Sequence, residues 1–339
     1  MLTLALSGDV MLGRLVNDRL KHMQPQEAWG DVLPHLLQAD LRIVNLECAL
    51  TLHRKPWTRS WKMFHFRADP GAVRVLLAAH VDACSLANNH ILDFEERGLR
   101  DTLRVLRKTG IRHAGAGDNA DAAAAPALLD VAGDSPCRVA LLSCTDNEPG
   151  FAAGADRPGT HYLPVSLSVY TLTRIASSIA QARAQGAELV VFSNHWGANF
   201  VERPSHEFRQ FARRVIELGA DVYHGHSAHI CQGIEIHQGK PILYDTGDFI
   251  DDYAVDPQLR NDRSCLFKLM FERGKLCRIE LLPVSLSVAR VALAQGKEFD
   301  AICARMAMLC DELGTQLQRG SDRLLWTAEH HATQGVRVG

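Results

Sequence analysis

Short apolar runs alternate with amphipathic stretches long enough to form helices, and this alternation limits the possible folds more than any other feature of the chain. The runs at residues 3–7, 42–45, 81–86, 139–144, 189–193 and 221–224 carry apolar side chains at successive positions, the pattern of strands buried on both faces. Stretches at 72–79, 94–109, 171–185 and 204–218 repeat apolar residues at helical spacing. Gly110, Gly186 and Gly219 each follow one of these stretches, where a helix is capped in the left-handed conformation. Further runs at 234–236, 242–244, 265–271 and 276–282 look like hairpin strands of a second sheet, and 297–317 is helical in pattern. The order predicts an α/β protein with sheets covered by helices on their outer faces. The expected organisation is one domain over residues 1–290 with a helical extension, 291–339, packed on it. The alanine-rich stretch 119–127 is the weakest internal boundary. A hexapeptide, Pro-Val-Ser-Leu-Ser-Val, occurs at 164–169 and 283–288, but its flanks do not match and it is not a repeat.

Several classes are disfavoured at once. Lys and Arg total 37 against 39 Asp and Glu, so the chain has no global electrostatic footprint for nucleic acid or an anionic membrane. The opening Met1-Leu-Thr-Leu-Ala-Leu-Ser7 turns at once into Gly8-Asp9, which reads as a strand and not as a secretion signal. The longest apolar region, 73–87, is broken by Arg74, His80 and Asp82 and is too short to span a bilayer. Nine cysteines are scattered singly with no CxxC pair, the usage of reduced structural thiols. The expectation is a soluble, cytoplasmic protein, with nothing in the sequence to set its oligomeric state.

Polar residues gather where the predicted strands end, which is where α/β sheets place their sites. Gly8-Asp9 follows the first strand, Asn45-Leu46-Glu47 the second, and Asn88-Asn89-His90 the third, with Asp93 opening the next helix. Asn194-His195-Trp196-Gly197 and His224-Gly225-His226-Ser227-Ala228-His229 follow two later strands. Each alone has an ordinary explanation. Gly-Asp is a common turn, Asn88 and Asn89 suit a helix cap, and His195 suits a buried structural imidazole. Together they form a mixed oxygen and nitrogen set without thiolate, the kind that binds one or two divalent ions such as Mn, Fe or Zn.

At these residues the chain resembles the capsule synthesis protein CapA family of the poly-γ-glutamate type, itself similar to calcineurin-like metallophosphoesterases. The pieces are Gly8-Asp-Val-Met-Leu-Gly-Arg14, Asn45-Leu-Glu47, Phe66-Arg-Ala-Asp-Pro70, Ala87-Asn-Asn-His90 with Asp93, His195-Trp-Gly197, Gly225-His226 with His229, and Tyr244-Asp-Thr-Gly-Asp-Phe249. The resemblance implies a four-layer α-β-β-α sandwich, metallo-dependent phosphatase-like. It implies Asp9, Glu47, Asn89, His195, His226 and His229 as metal ligands, with Glu47 bridging. His90 would assist the leaving group, oriented by Asp93. Three departures stand out. Met11 occupies a position where the phosphoesterase pattern has histidine, His226 and His229 are three residues apart instead of two, and Asp248 with Asp251-Asp252 makes a more acidic rim.

The loop from His53 to Arg67 interleaves five basic residues with four aromatics, so Lys62 and Arg67 are candidate contacts for an anionic substrate. Arg14 and Asp248 join them as candidate substrate-binding residues; the plain alternatives are a solvated loop and a surface arginine at a helix start. The expected function is a metal-dependent, phosphoesterase-like hydrolase acting on an anionic small molecule or polymer. The rivals are action on γ-glutamyl amide bonds and a non-catalytic accessory role.

Overall fold

The computed structural model describes residues 1–132 and 136–328. A ten-stranded sheet runs in the order Gln318–Arg319, Leu324–Thr327, Lys275–Ser287, Arg263–Glu272, Leu2–Val10, Leu41–Leu46, Ala83–Ser85, Arg112–Ala114; Asp248–Ile250 also pairs with Leu2–Val10, and Arg290–Leu293 with Lys275–Ser287. A six-stranded sheet runs Ile234–His237, Lys240–Leu243, Val222–His226, Leu189–His195, Cys137–Thr145, Ala127–Val131. The strands that carry the polar ends lie parallel within each sheet, Leu2–Val10 beside Leu41–Leu46 and Ala83–Ser85, and Leu189–His195 beside Val222–His226.

The alternation of each strand builds the layers. Leu4 and Leu6 face the inter-sheet core with Val139, Leu141, Leu189, Val191 and Val222. Ala140, Leu142, Val190, Phe192 and Tyr223 point the other way, onto Ile175, Ile179, Phe211 and Val215 of helices Val169–Ala184 and His206–Glu217. On the far side Ala5, Val44 and Cys84 pack with Val75, Leu76, Leu99, Leu103 and Leu106. The last three belong to helix Glu95–Thr109, which ends at left-handed Gly110. The result is a four-layer α-β-β-α sandwich whose strands are buried on both faces, which is why they read as continuous apolar runs.

Two segments differ from the sequence expectation. The stretch 119–127, the weakest internal boundary in the sequence, holds a short helix and the start of a strand. Asn119 caps the short helix Ala120–Ala124 by accepting from Ala122 N at 2.8 Å, and the chain then enters the outer strand of the six-stranded sheet. At the C-terminal end, strand Arg290–Leu293 crosses the boundary expected at 290. Helix Gly296–Asp311 drives Phe299, Ile302, Cys303, Met306 and Cys310 into the inter-sheet core, and it stops short of 317. Strands Gln318–Arg319 and Leu324–Thr327 then extend the large sheet. Residues 291–328 are therefore part of the common core; 329–339 lie outside the described residues. Among the described residues no helix is long and apolar enough to cross a membrane.

Candidate metal centre

Sheet register carries the polar residues to one place. Asp9 near the end of Leu2–Val10 stands level with Asn45, and His195 closes its strand opposite His226. Asp248 opens a strand that runs parallel to the first, in register with Asp9. That pairing demands glycine at position 8. A Cβ there would stand 1.7 Å from the Gly247 carbonyl oxygen, to which Asp9 N donates at 2.9 Å. Beyond Val222–His226, Ser227 and His229 adopt φ of 117° and 60°, a costly conformation for non-glycine residues. The turn is held by Ala228 N donating to Asp245 Oδ2 at 2.8 Å. It swings His229 Nδ1 to 3.6 Å from Asp9 Oδ2 and 2.8 Å from Asp248 Oδ1, so the three-residue spacing from His226 does not keep His229 away.

Among the described residues, two groups of side chains have ligand atoms lying within 4.8 Å of one another: Asp9 with His195 and His226, and Asp9 with Glu47, His229 and Asp248. Asp9 is common to both, where the resemblance implied Glu47; Glu47 Oε1 borders the first group at 3.8 Å from His195 Nε2. His195 Nδ1 and His226 Nδ1 are 3.0 Å apart. Asp248, expected on an acidic rim beside substrate, is instead fully buried within the cluster. Met11 is buried with its sulfur accepting from Gly13 N at 3.0 Å.

The cluster fits cations. Its atoms Asp9 Oδ2, Glu47 Oε1 and Asp248 Oδ2 are all buried without a hydrogen-bond partner, as is Asn89 Oδ1, which stands in neither group. An unpaired buried acceptor is costly, and three carboxylates this close resist joint ionisation unless positive charge lies among them. Burial, then Glu47, pushes the Asp9 carboxyl well up, and burial does the same to Asp248. Burial holds His195 and His226 well below the usual imidazole value, so both are neutral nitrogen donors. For His229 burial works downward, but Asp248 and its neighbouring carboxylates outweigh it and raise the imidazole well above its usual value.

Outer contacts aim these groups. Asn45 Nδ2 donates to Asp9 Oδ1 at 2.7 Å, Tyr253 OH to Glu47 Oε2 at 2.9 Å, and Ser193 Oγ lies 2.9 Å from His226 Nε2. Asn88 braces the second strand end by donating to Leu46 O at 2.9 Å, and accepts from His90 N at 3.0 Å. His224 sits behind the cluster with Nε2 3.1 Å from Ser7 O, tying the two sheets together, and burial lowers it to about 4. Tyr253 escaped sequence reasoning, and the only signal for it was its place directly after Asp251-Asp252.

His90 stands beside the cluster. Its Nδ1 is 2.6 Å from Asp93 Oδ2 and its Nε2 is 3.9 Å from Glu47 Oε1, while Phe66 stacks on the ring at 3.9 Å between centroids. The basic residues expected to meet substrate are committed elsewhere. The Lys62 side chain turns inward and is nearly fully buried, donating to Asn89 O, lying 3.0 Å from Asp93 Oδ1 and standing 4.8 Å from the centre of the Phe151 ring. Arg14 pairs with Asp252 at 2.5 Å under the rings of Phe64, Phe66 and Tyr253. Arg67 donates to Thr51 O at 3.2 Å and lies 3.9 Å from Asp69. The loop aromatics divide: Trp57 and Phe66 are buried, Trp61 and Phe64 exposed. Since the Lys62 and Asp93 side chains are both buried, Lys62→Met strips the buried carboxylate of its ammonium partner, leaving it only His90 Nδ1 and Phe66 N, and is expected to destabilise the protein by about 3–5 kcal/mol, measured by urea unfolding. A change under about 1 kcal/mol would show that Asp93 does not depend on the ammonium.

The fold and cluster define a four-layer α/β protein with a buried carboxylate–imidazole centre at a shared sheet edge. Residues 3–253 match the bacterial capsule synthesis protein PGA_cap, and the chain belongs to that family. A probable polyglutamine synthesis accessory protein of Mycobacterium tuberculosis is 30% identical over 365 residues, 95% of each chain. The PGA biosynthesis protein CapA of Bacillus subtilis is 29% identical over 287 residues, 84% of this chain and 72% of that one. The capsule biosynthesis protein CapA of Bacillus anthracis is 28% identical over 256 residues, 74% of this chain and 60% of that one. Among solved structures, the chain is similar to a 5'-nucleotidase of Candida albicans at TM-score 0.42 and 11% identity, covering 81% of this chain and 48% of that one. The sulfate thiohydrolase SoxB of Termus thermophilus gives TM-score 0.42 and 12% identity, covering 89% and 60%. These overlaps are loose, and the four layers rest on the strand order itself.

Proposed function

We propose that this PGA_cap protein is a metal-dependent hydrolase of the phosphoesterase kind, serving capsule or poly-γ-glutamate metabolism. The observation that carries the reading is His90, which is tied to Asp93 through one ring nitrogen and has the other 3.9 Å from an unpaired oxygen of the cluster. Asp9, Glu47, Asn89, His195, His226, His229 and Asp248 would hold the cations. Bound there, divalent ions such as Mn, Fe or Zn would polarise a phosphoryl oxygen and ease the deprotonation of water. The chain's own residues do the rest. Asp93 fixes the ring at Nδ1, leaving Nε2 to pass a proton to the departing oxygen. Lys62 and Phe66 N hold Asp93, and Phe66 fixes the plane of the ring. The nine cysteines, all unpaired, support a reducing compartment, and we place the protein in the cytoplasm.

A second reading uses the same residues on γ-glutamyl amide bonds or in a non-catalytic accessory role. The pairing of Arg14, Lys62 and Arg67 leaves none of the three free to receive a polyanion, which counts against a form of this reading that grips the polymer through them. What favours the accessory form is the name of the mycobacterial relative, a probable polyglutamine synthesis accessory protein. Assays with phosphomonoesters, phosphodiesters and a γ-glutamyl polymer, with and without Mn²⁺, separate the readings. Metal-dependent phosphate release that disappears in Glu47→Gln supports the first. Glutamate release supports the amide reading, and stoichiometric metal without turnover supports the accessory one.

A further inference from the structure

The two ligand groups differ in chemistry. The first offers one carboxylate, Asp9, and two imidazoles, His195 and His226; the second offers three carboxylates, Asp9, Glu47 and Asp248, and one imidazole, His229. We propose that they are two unequal cation sites, and that Asp248 is the ligand that makes the second an oxygen-rich site for a hard ion such as Mn²⁺ or Mg²⁺, while the imidazole pair takes Zn²⁺ or Fe²⁺. The inference rests on the reading that the cluster holds divalent cations, and adds which kind each half selects.

Asp248 is built into the cluster by the backbone. Its strand is locked parallel to Leu2–Val10 in register with Asp9, through a contact that only Gly8 permits, so the carboxylate cannot swing out to solvent. It has no solvent exposure, and its Oδ2 lacks any partner. The unpaired atoms of the other carboxylates in its group, Asp9 Oδ2 and Glu47 Oε1, are both oxygens. The Met11 sulfur is satisfied by Gly13 N at 3.0 Å. Carboxylate and carbonyl oxygens suit Mg and Mn, whereas imidazole suits Zn and Fe. The divalent series binds zinc above manganese at most sites, so the signature is a difference in preference between two sites and not an absolute choice of manganese.

A competing role is available. Asp248 Oδ1 lies 2.8 Å from His229 Nδ1, so the carboxylate could merely orient that imidazole from outside the coordination shell. The two roles separate under metal counting. The full-length protein is stripped with chelator, loaded from Mn²⁺ in about 100-fold excess over Zn²⁺ to offset the intrinsic order, and analysed by elemental analysis and calorimetric titration. Wild type is expected to carry one Zn and one Mn per chain. Asp248→Asn is expected to keep the zinc within about threefold of wild-type affinity and to lose manganese by about 100-fold or more. Asp248→His, a second variant that restores a nitrogen ligand, is expected to bind two zinc ions; melting curves check that both variants fold. Wild type filling both sites with one metal would overturn the inference, as would Asp248→Asn binding both metals with unchanged preference. Failure of the wild type to bind any cation would sink the underlying reading as well.

Discussion

Asp9→Asn is expected to make the metal-free protein more stable and the metal-loaded protein less stable. Asp9 is the one residue common to both ligand groups, and its Oδ2 is buried without a partner. Without cations its charge meets Glu47 and Asp248 in a site closed to water, and burial followed by Glu47 already drives its carboxyl upward. The carboxamide removes that charge yet still offers an oxygen to Asn45 Nδ2, which now lies at 2.7 Å. The apo protein should gain roughly 1–4 kcal/mol, taking as a guide the scale seen when buried ion pairs give way to well-packed uncharged residues of similar volume. In wild type, a cation at about 1,000 times its Kd adds about 4 kcal/mol, and the variant forfeits most of it. Affinity should fall by more than the roughly 10–100-fold typical of losing an outer contact to a ligand. Urea unfolding of both proteins in chelator and in saturating Mn²⁺ reads all four corners of this cycle. Loss of stability in both conditions would mean that the cluster is held by hydrogen bonds alone.

His90→Ala is expected to lower turnover by roughly 10²–10⁴-fold, the usual worth of a positioned proton donor, while metal content stays at the wild-type value. The fold should survive the change. Asp93 keeps Lys62 at 3.0 Å and Phe66 N at 2.6 Å, so its buried charge remains compensated when the imidazole is gone. This separates His90 from Lys62, whose replacement removes the ammonium beside the same carboxylate and leaves its Oδ1 without a partner. Turnover within threefold of wild type would remove His90 from the chemistry and favour the accessory reading.

The strand-end residues were legible because a parallel strand delivers its last side chains to one edge of the sheet, whatever lies beside it. Asp9, Glu47, His195 and His226 needed only the runs before them, and His90 and Asp93 are close enough in sequence to meet within one turn. The assignments that shifted all depend on contacts between distant segments. Lys62 looked like a loop cation because nothing local shows its side chain turning inward onto Asp93. Tyr253 and Glu47 are 206 residues apart, and Arg14 and Asp252 are 238 apart, yet each pair is in contact. The C-terminal strands were missed because a two-residue strand such as Gln318–Arg319 has no periodicity of its own.

What the chain alone determined is the alternation of elements, the burial of both faces of its strands and the residue types at their ends, because apolar period and side-chain chemistry are properties of neighbouring positions. Only the tertiary structure decided that Asp248 lies beside Asp9, that Asp9 joins the two ligand groups, and that Arg14 and Lys62 turn to the carboxylates of Asp252 and Asp93. Those outcomes follow from sheet register and loop closure, which depend on how remote surfaces bury one another.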